Sequence, residues 1–191
     1  MSGSRVADDV TRAAVELFAA QGYANTSVQQ IVAAAGVTKG AMYHYFQSKD
    51  DLLFGIYDRL LSLQKAHLEE IVAAGGSAEE TLRAACVDVI ETTIAQLQDA
   101  TVFFRSVHLL SAARQQEVTQ RRRAYHEQFA ALLRRGQAEG VFRSDVPEAV
   151  LIAHFFSDVH YLSQWFSPEG PEPPAEVAAQ ITELFLRSIR A

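Results

Sequence analysis

Residues 26–54 read TSVQQIVAAAGVTKGAMYHYFQSKDDLLF, and this stretch decides the fold of the N-terminal part of the chain. Ser27 with Gln30 forms a capping box at the start of a first short helix. Gly36 is suited to end that helix, and Thr38 is suited to cap a second one. Two short helices joined by a tight glycine turn predict a helix-turn-helix.

The apolar residues of this stretch have helical spacing, and they predict a small core that fixes the crossing of the two helices. These residues are Val28, Ile31, Val32, Val37, Met42 and Phe46. Ala41 should face out and is small enough to contact a thymine methyl group, while Gly40 lets the backbone approach DNA closely. Thr38 and Lys39 lie at a helix N-terminus, where free amides favour phosphate.

Three further side chains of this stretch can donate hydrogen bonds to phosphate oxygens, namely Tyr43, His44 and Lys49. Such contacts position a protein on DNA without reading its sequence. The alternative is a structural hairpin with a solvated polar face, and substitution of Tyr43 and Lys49 by Ala distinguishes the two.

Helical periodicity continues along the rest of the chain. Ser48 with Asp51 predicts a long helix to about Ala74, and Gly75-Gly76 is the clearest break. Further helices are expected over 78–97, 101–113, 116–139, about 148–166 and 175–189, and Asp145 is expected to cap the helix whose first turn contains Pro147. The prediction is an all-α protein of about nine helices, with a helix-turn-helix domain at 1–48 and a C-terminal helical bundle at 49–191.

Composition is typical of a folded globular chain. It has 191 residues, a hydrophobic fraction of 49% and a net charge of −6. The first 50 residues are neutral, with four Lys/Arg and four Asp/Glu, so the remaining residues carry the whole net negative charge. No apolar run is long enough for a membrane span and no signal peptide is evident, which predicts a cytoplasmic protein. Cys86 is expected to pack as a small hydrophobic residue.

The pattern from Thr26 to Phe54 resembles the signature of the TetR family of bacterial repressors, and the resemblance extends over residues 5–54. The matching positions include Ala35-Gly36-Val37-Thr38-Lys39-Gly40-Ala41-Met42-Tyr43-His44-Tyr45-Phe46 and Ser48-Lys49. The resemblance implies a homodimer, a recognition helix after Gly36, and release from an operator when a small molecule binds the C-terminal domain. It implies DNA contacts by Ser27, Thr38, Lys39, Gly40, Ala41, Tyr43, His44 and Lys49.

An enzyme and a helical adaptor protein are the competing classes. The sequence shows no Gly-rich phosphate loop, nucleophile setting or paired carboxylates in a recognisable frame, and no cofactor is expected. An adaptor would form a stable dimer that binds no DNA. Repression and activation are not distinguished by the chain, because the position of the operator decides between them.

The segment from Val150 to Phe166 is apolar on nearly all sides, which predicts burial on two faces. The resemblance to the TetR family implies that one of these faces packs against a second subunit. Two-fold pairing would space the recognition helices by about 34–36 Å, so a near-palindromic operator is expected. His154 and Asp158 share a helix face, but His160 points elsewhere and no fourth ligand is evident. We therefore expect no metal site.

The C-terminal part is rich in side chains that could line an effector pocket, although an ordinary core uses the same residue types. The candidates are Phe103, Phe104, His108, Arg122, Tyr125, Phe129, Phe156, His160, Tyr161 and Trp165. Arg121-Arg122-Arg123 is either a solvated face or a contact for an anionic ligand. The segments EGVFRSDVP (139–147) and WFSPEG (165–170) resemble regulators that respond to acyl-coenzyme A, which implies an acyl-CoA or another hydrophobic effector.

Overall fold

The computed structural model describes residues 2–191 and the side chains of residues 5–191. Within them the chain is helical, and the only extended pairing is an isolated bridge between Phe142 and Arg190. The helices are α1 (Ser2–Gln21), α2 (Val28–Ala34), α3 (Lys39–Tyr43), α4 (Lys49–Ala74), α5 (Ala78–Ala95), α6 (Leu97–Ser106), α7 (Ala112–Ala138), α8 (Glu148–Trp165) and α9 (Pro174–Ile189), with a 3-10 turn at Val107–Leu109. The all-α prediction with about nine helices is confirmed.

The chain forms two compact units. The first contains the chain as far as Arg59 together with Gln98–Thr119, and the second contains Leu60–Leu97 together with Gln120–Ala191. None of the helices in the described part of the chain has the length and apolar character needed to cross a bilayer.

The core of the first unit lies where α1 packs on α2 and α3. Val10, Ala14 and Phe18 follow one another at four-residue spacing on α1, and all three are buried. Ile31 and Met42, from α2 and α3, are also fully buried. Removal of these apolar surfaces from water holds the two short helices, which would be unstable alone.

The core of the second unit is built on α5, which packs against α8 and α9. Leu82 and Ile90 of α5 are fully buried, as are Leu186 and Ile189 of α9. Cys86 is buried among them, which confirms that it packs as a small hydrophobic residue, and burial raises the pKa of its thiol. A buried thiol with a raised pKa forms little of the reactive thiolate.

The last turns of α7 close over Phe142. Gly136 lies within α7, and a Cβ atom on it would stand 2.0 Å from the Phe142 ring. Phe142 is buried in the space that the missing side chain leaves. Glycine is required here by close packing rather than by a turn.

The junction between α6 and α7 differs from the helix predicted over 101–113. The chain leaves α6 at Ser106 and starts α7 at Ala112. The side-chain amide of Gln115 donates to the carbonyls of His108 and Leu110, at 3.2 and 2.7 Å, which satisfies groups that the break exposes. No Gly or Pro marks the break, so local residue patterns do not predict it.

The predicted N-cap at Asp145 is wrong. Helix α8 begins at Glu148 with Pro147 in the capping position, and no side chain caps it. The Asp145 carboxylate instead accepts two hydrogen bonds from the Arg143 guanidinium, at 2.7 and 2.6 Å. A bidentate arginine pair competes successfully with backbone amides for a carboxylate.

Candidate DNA-binding site

Helices α2 and α3 form the predicted helix-turn-helix. The turn between them contains Gly36, whose φ of 65° lies in the left-handed region that favours glycine. The Val37 N–H donates to the Val32 carbonyl at 3.0 Å, which closes the end of α2. Ile31, Val32 and Met42 form the buried core of the motif. The other members of the predicted core, Val28, Val37 and Phe46, are partly buried.

Both short helices are capped as the sequence predicts. The Ser27 hydroxyl accepts from the Gln30 N–H at 3.2 Å, and the Gln30 side chain accepts from the Ser27 N–H at 2.8 Å. The Thr38 hydroxyl accepts from the Ala41 N–H at 3.1 Å. Capping fixes where each helix starts and therefore which of its side chains face out.

The side chains predicted to contact DNA lie mainly on the exposed side of the motif. Ser27, Thr38, Lys39, Gly40, Tyr43 and His44 are exposed, and Ala41 is partly buried. The Tyr43 side chain is 48% exposed although its neighbour Met42 is completely buried. A large aromatic side chain left in solvent near a lysine is suited to a partner surface.

Lys49 is placed differently from the other predicted contacts. Its ammonium donates to the carbonyls of Tyr23 and Thr26, at 2.8 and 2.9 Å, and lies 4.2 Å from the centre of the Tyr23 ring. Burial lowers the pKa of Lys49, against the opposing effect of the Asp50 charge. Lys49 therefore fastens the start of α4 to the turn between α1 and α2, with one N–H left over.

Tyr23 and Asp50 also belong to the contacts that hold the start of α4, and neither was predicted from the sequence. The Tyr23 hydroxyl donates to the Asp50 carboxylate, which also accepts from the Ser111 N–H at 3.0 Å. Burial raises the pKa of Asp50, but the hydrogen bonds from Tyr23 and Ser111 outweigh it and lower the pKa overall. Burial and the bond to Asp50 raise the pKa of Tyr23. Partners so distant in sequence leave no local pattern to find.

The ten residues predicted for an effector pocket fall into several groups. In the first unit the Phe103 ring stacks on Tyr57 with centroids 4.1 Å apart, Phe104 lies beside Phe103, and His108 is exposed. In the second unit the rings of Tyr125, Phe129 and His160 lie next to the Phe156 ring. Arg122 is on the same helix as Tyr125. Tyr161 and Trp165 lie elsewhere, on the exposed side of α8.

Helix α8 is buried on one face only. Leu151, Phe155 and Leu162 are buried, whereas Tyr161 is 63% and Trp165 is 54% exposed. The exposed rings border a shallow hollow of about 220 Å³ with Asp158, Ile181 and Leu184, and Leu184 is itself 69% exposed. Apolar side chains of this size exposed on two helices are suited to contact with a partner.

The described residues contain no group of three or more side chains that could hold a metal ion. His154 and Asp158 are exposed, whereas His160 is partly buried beside Phe156. Their separation agrees with the helical spacing, which turns His160 away from the other two.

Comparison with known proteins connects this geometry to a family. The family model described as "Bacterial regulatory proteins, tetR family" matches residues 10–56, and the model "Tetracyclin repressor-like, C-terminal domain" matches residues 75–189. The second match alone covers more than half of the chain.

The chain belongs to the TetR family.

Among its relatives is the HTH-type transcriptional repressor KstR2 of Rhodococcus jostii (strain RHA1), which is 30% identical over 179 residues, or 91% of this chain and 85% of the relative. The crystal structure of the TetR-family regulator PfmR from Thermus thermophilus matches with a TM-score of 0.83 and 30% identity, over 93% of this chain and 97% of PfmR. The structure of AibR in complex with isovaleryl coenzyme A and operator DNA shares the fold, with a TM-score of 0.78 and 23% identity over 94% and 97% of the two chains.

Members of the TetR family are DNA-binding transcriptional regulators rather than enzymes, and they are typically homodimers. The predicted family and fold are therefore confirmed. In this TetR-family regulator the N-terminal match covers the whole helix-turn-helix, and the C-terminal match covers α5 to α9.

Proposed function

We propose that this protein is a homodimeric transcriptional repressor that binds a near-palindromic operator and leaves it when a small-molecule effector binds. Residues 1–48 would bind DNA, and residues 49–191 would bind the effector and the second subunit. The observation that carries the proposal is the division of the helix-turn-helix into a closed apolar core and an exposed polar surface at 38–44.

The proposed DNA contacts divide by chemistry. Lys39, Tyr43 and His44 would donate to phosphate oxygens, and Ala41 would contact a base edge. Helix α3 has only five residues, so its dipole is small and the charge must come from side chains. Residues 1–50 contain few lysines, and each lysine should therefore contribute a large share of the salt-dependent affinity for DNA.

Lys49 has a different part in this proposal. Two of its three N–H groups hold the turn between α1 and α2, and the third would reach a phosphate. Its substitution would loosen the turn as well as remove a contact. Lys39 is the better probe of DNA binding, because its side chain is exposed and holds no such turn.

We propose that dimerisation uses the exposed apolar surface of α8 and α9 around Tyr161, Trp165 and Leu184. Pairing of these helices with their copies would bury side chains that water now surrounds. Leu184→Glu should convert a dimer to a monomer in analytical ultracentrifugation, while Leu184→Ala should only weaken the dimer. If Leu184→Glu remains fully dimeric, the subunit contact lies elsewhere.

The effector is proposed to be an acyl-CoA or another hydrophobic molecule. Support comes from the resemblance of 139–147 and 165–170 to acyl-CoA-responsive regulators, and from the isovaleryl coenzyme A bound to the AibR structure of the same fold. The aromatic side chains around Phe156 supply apolar surface for such a molecule.

The proposal is tested by incubating the purified protein with sheared DNA from its host genome and sequencing the retained fragments. Enrichment of one palindrome, above all beside the gene for this protein, is the expected result. A protein that retains no sequence above background, even after removal of co-purified small molecules by refolding, would contradict the proposal and favour a helical adaptor.

A further inference from the structure

The second unit contains two imidazoles near one phenylalanine, and an arginine lies one helical turn from one of these imidazoles. Arg122 and His126 lie one turn apart on α7, and His160 lies on α8. The His126 ring stacks on the Phe156 ring with centroids 4.0 Å apart, and the His160 ring lies 6.2 Å from the same ring. The charge of Arg122 acts on both imidazoles.

Among the described residues, Arg122 lacks the carboxylate partner that several other arginines of α7 have. Arg114 pairs with Glu117, and Arg134 pairs with Glu127 and Glu148. Arg122 is partly buried, yet among the described residues its guanidinium has no hydrogen bond or ion pair. Because no carboxylate of the described residues neutralises this guanidinium, it is available to a counter-charge from outside the chain.

The imidazoles add hydrogen-bonding groups beside this charge. Burial, followed by the charge of Arg122, lowers the pKa of both His126 and His160 to about 4. Both rings are therefore neutral at pH 7, and a neutral imidazole carries one N–H. A fixed positive charge with neutral donors beside it suits a single carboxylate or phosphate.

Apolar surface continues directly from these groups. Phe156 lies beside Tyr125 and Phe129, with ring centroids 6.0 and 5.1 Å apart, and all three side chains are buried. Pockets for small molecules combine apolar walls with a few placed polar groups in this way.

We propose that Arg122, His126 and His160 bind the anionic group of an effector whose apolar part lies against Phe156 and its aromatic neighbours. The ligand class is an apolar chain or ring system that carries a carboxylate or a phosphate. This inference rests on the effector-dependent regulation proposed above and names the chemistry that the effector presents at this place.

The test compares three probes with the same apolar chain: dodecanoate, dodecyl phosphate and the neutral dodecanol. Each is titrated calorimetrically into the full-length protein and into Arg122→Gln and Arg123→Gln variants. Arg123 is the matched control, because it is the exposed neighbour on the same helix and its loss changes the net charge equally. We expect at least one anion to bind about tenfold or more tightly than dodecanol, with that advantage lost in Arg122→Gln and kept in Arg123→Gln.

The stronger of the two anions identifies the headgroup as carboxylate or phosphate. If neither anion binds more tightly than dodecanol, or if the two variants lose affinity equally, the anionic site is overturned. Operator retention by the same samples separates this failure from that of the repressor proposal. If the protein binds the operator but shows no preference for anions, only the proposed anionic site is contradicted. If the wild-type protein retains no operator, the proposed repressor function is contradicted.

Discussion

The helix-turn-helix segment, residues 27–49, and the aromatic cluster around Phe156 use apolar side chains in opposite ways. In the segment, burial alternates sharply, so that Met42 is completely buried and Tyr43 is 48% exposed. In the cluster, Phe129 and Phe156 are buried in the same manner as any core residue. A surface that meets DNA must expose particular side chains, whereas an internal pocket uses the residue types of a core. The residue pattern of the helix-turn-helix segment therefore indicates a function, whereas the residue types of the aromatic cluster around Phe156 do not distinguish a pocket from a core.

The largest effect expected is at Met42, which tests how completely the segment separates core from surface. Met42→Ala should lower the free energy of unfolding by about 2–5 kcal/mol, because a fully buried side chain is removed. Tyr43→Ala should leave stability within about 0.5 kcal/mol but weaken DNA binding. Chemical denaturation measures the first effect, and a mobility-shift assay measures the second. Equal destabilisation by the two variants would contradict the proposed division.

A second prediction concerns packing in the body. Alanine normally stabilises a helix relative to glycine, but a Cβ at Gly136 would stand 2.0 Å from the Phe142 ring. Gly136→Ala should therefore destabilise the protein by about 1–3 kcal/mol through overpacking. In a Phe142→Ala background the same change should cost nothing, since the clash is removed. Thermal denaturation of the four proteins in this cycle checks it, and additive losses would refute the contact.

A third prediction uses the two buried imidazoles near Phe156. An unfolded histidine has a pKa of about 6.5, whereas His126 and His160 have a pKa of about 4 in the folded protein. The unfolded state thus binds more protons between these values, and stability should fall as pH falls from about 6.5 to about 4. Above that window the two groups should have no effect.

The slope has an upper bound of about 1.4 kcal/mol per pH unit for a completely buried histidine, and these partly exposed rings should give less. His160→Gln should make the fall in thermal midpoint between pH 7 and pH 5 shallower than in wild type. Since carboxylates such as Asp50 also titrate at low pH, only the difference between the two proteins is diagnostic. An unchanged slope would place His160 in water.

The smallest effect compares a helix cap that exists with one that does not. Ser77 caps α5, and its hydroxyl accepts from the Glu80 N–H at 3.2 Å. Ser77→Ala should cost about 1 kcal/mol. Asp145→Ala should cost less than about 0.5 kcal/mol, because no side chain caps α8 and the pair of Asp145 with Arg143 is exposed. If Ser77→Ala and Asp145→Ala lower the free energy of unfolding in urea equally, Asp145 acts as a cap of α8 after all.

Local chemistry explains what could be predicted from the sequence. The capping box at Ser27, the Thr38 cap and the positive φ of Gly36 depend on residues within three positions of each other. Such patterns are complete in a short stretch of chain, which is why the helices of the N-terminal motif were predicted to within a few residues.

The remaining features depend on partners far away in the sequence. Lys49 holds carbonyls 23 and 26 residues before it, and Asp50 accepts from Ser111, which is 61 residues away. Asp145 is an exception, because its partner Arg143 is only two residues away, and the capping pattern does not indicate that the carboxylate binds this arginine instead of the helix amides. The net charge of the chain did not indicate a DNA-binding surface either, because residues 1–50 are neutral as a whole. The feature that distinguishes this region is the exposed side of α3.

The most direct test of the account is the affinity of wild-type, Lys39→Ala and Lys65→Ala protein for the operator recovered from genomic DNA, measured over a range of salt concentrations. Lys65 is an exposed lysine of α4 in the second unit, and its substitution removes the same charge. We predict that Lys39→Ala weakens binding by about tenfold or more and lowers the salt slope by about 2 per dimer, while Lys65→Ala changes neither. Identical affinities and slopes for the two variants would contradict the assignment of the helix-turn-helix as the DNA-binding surface.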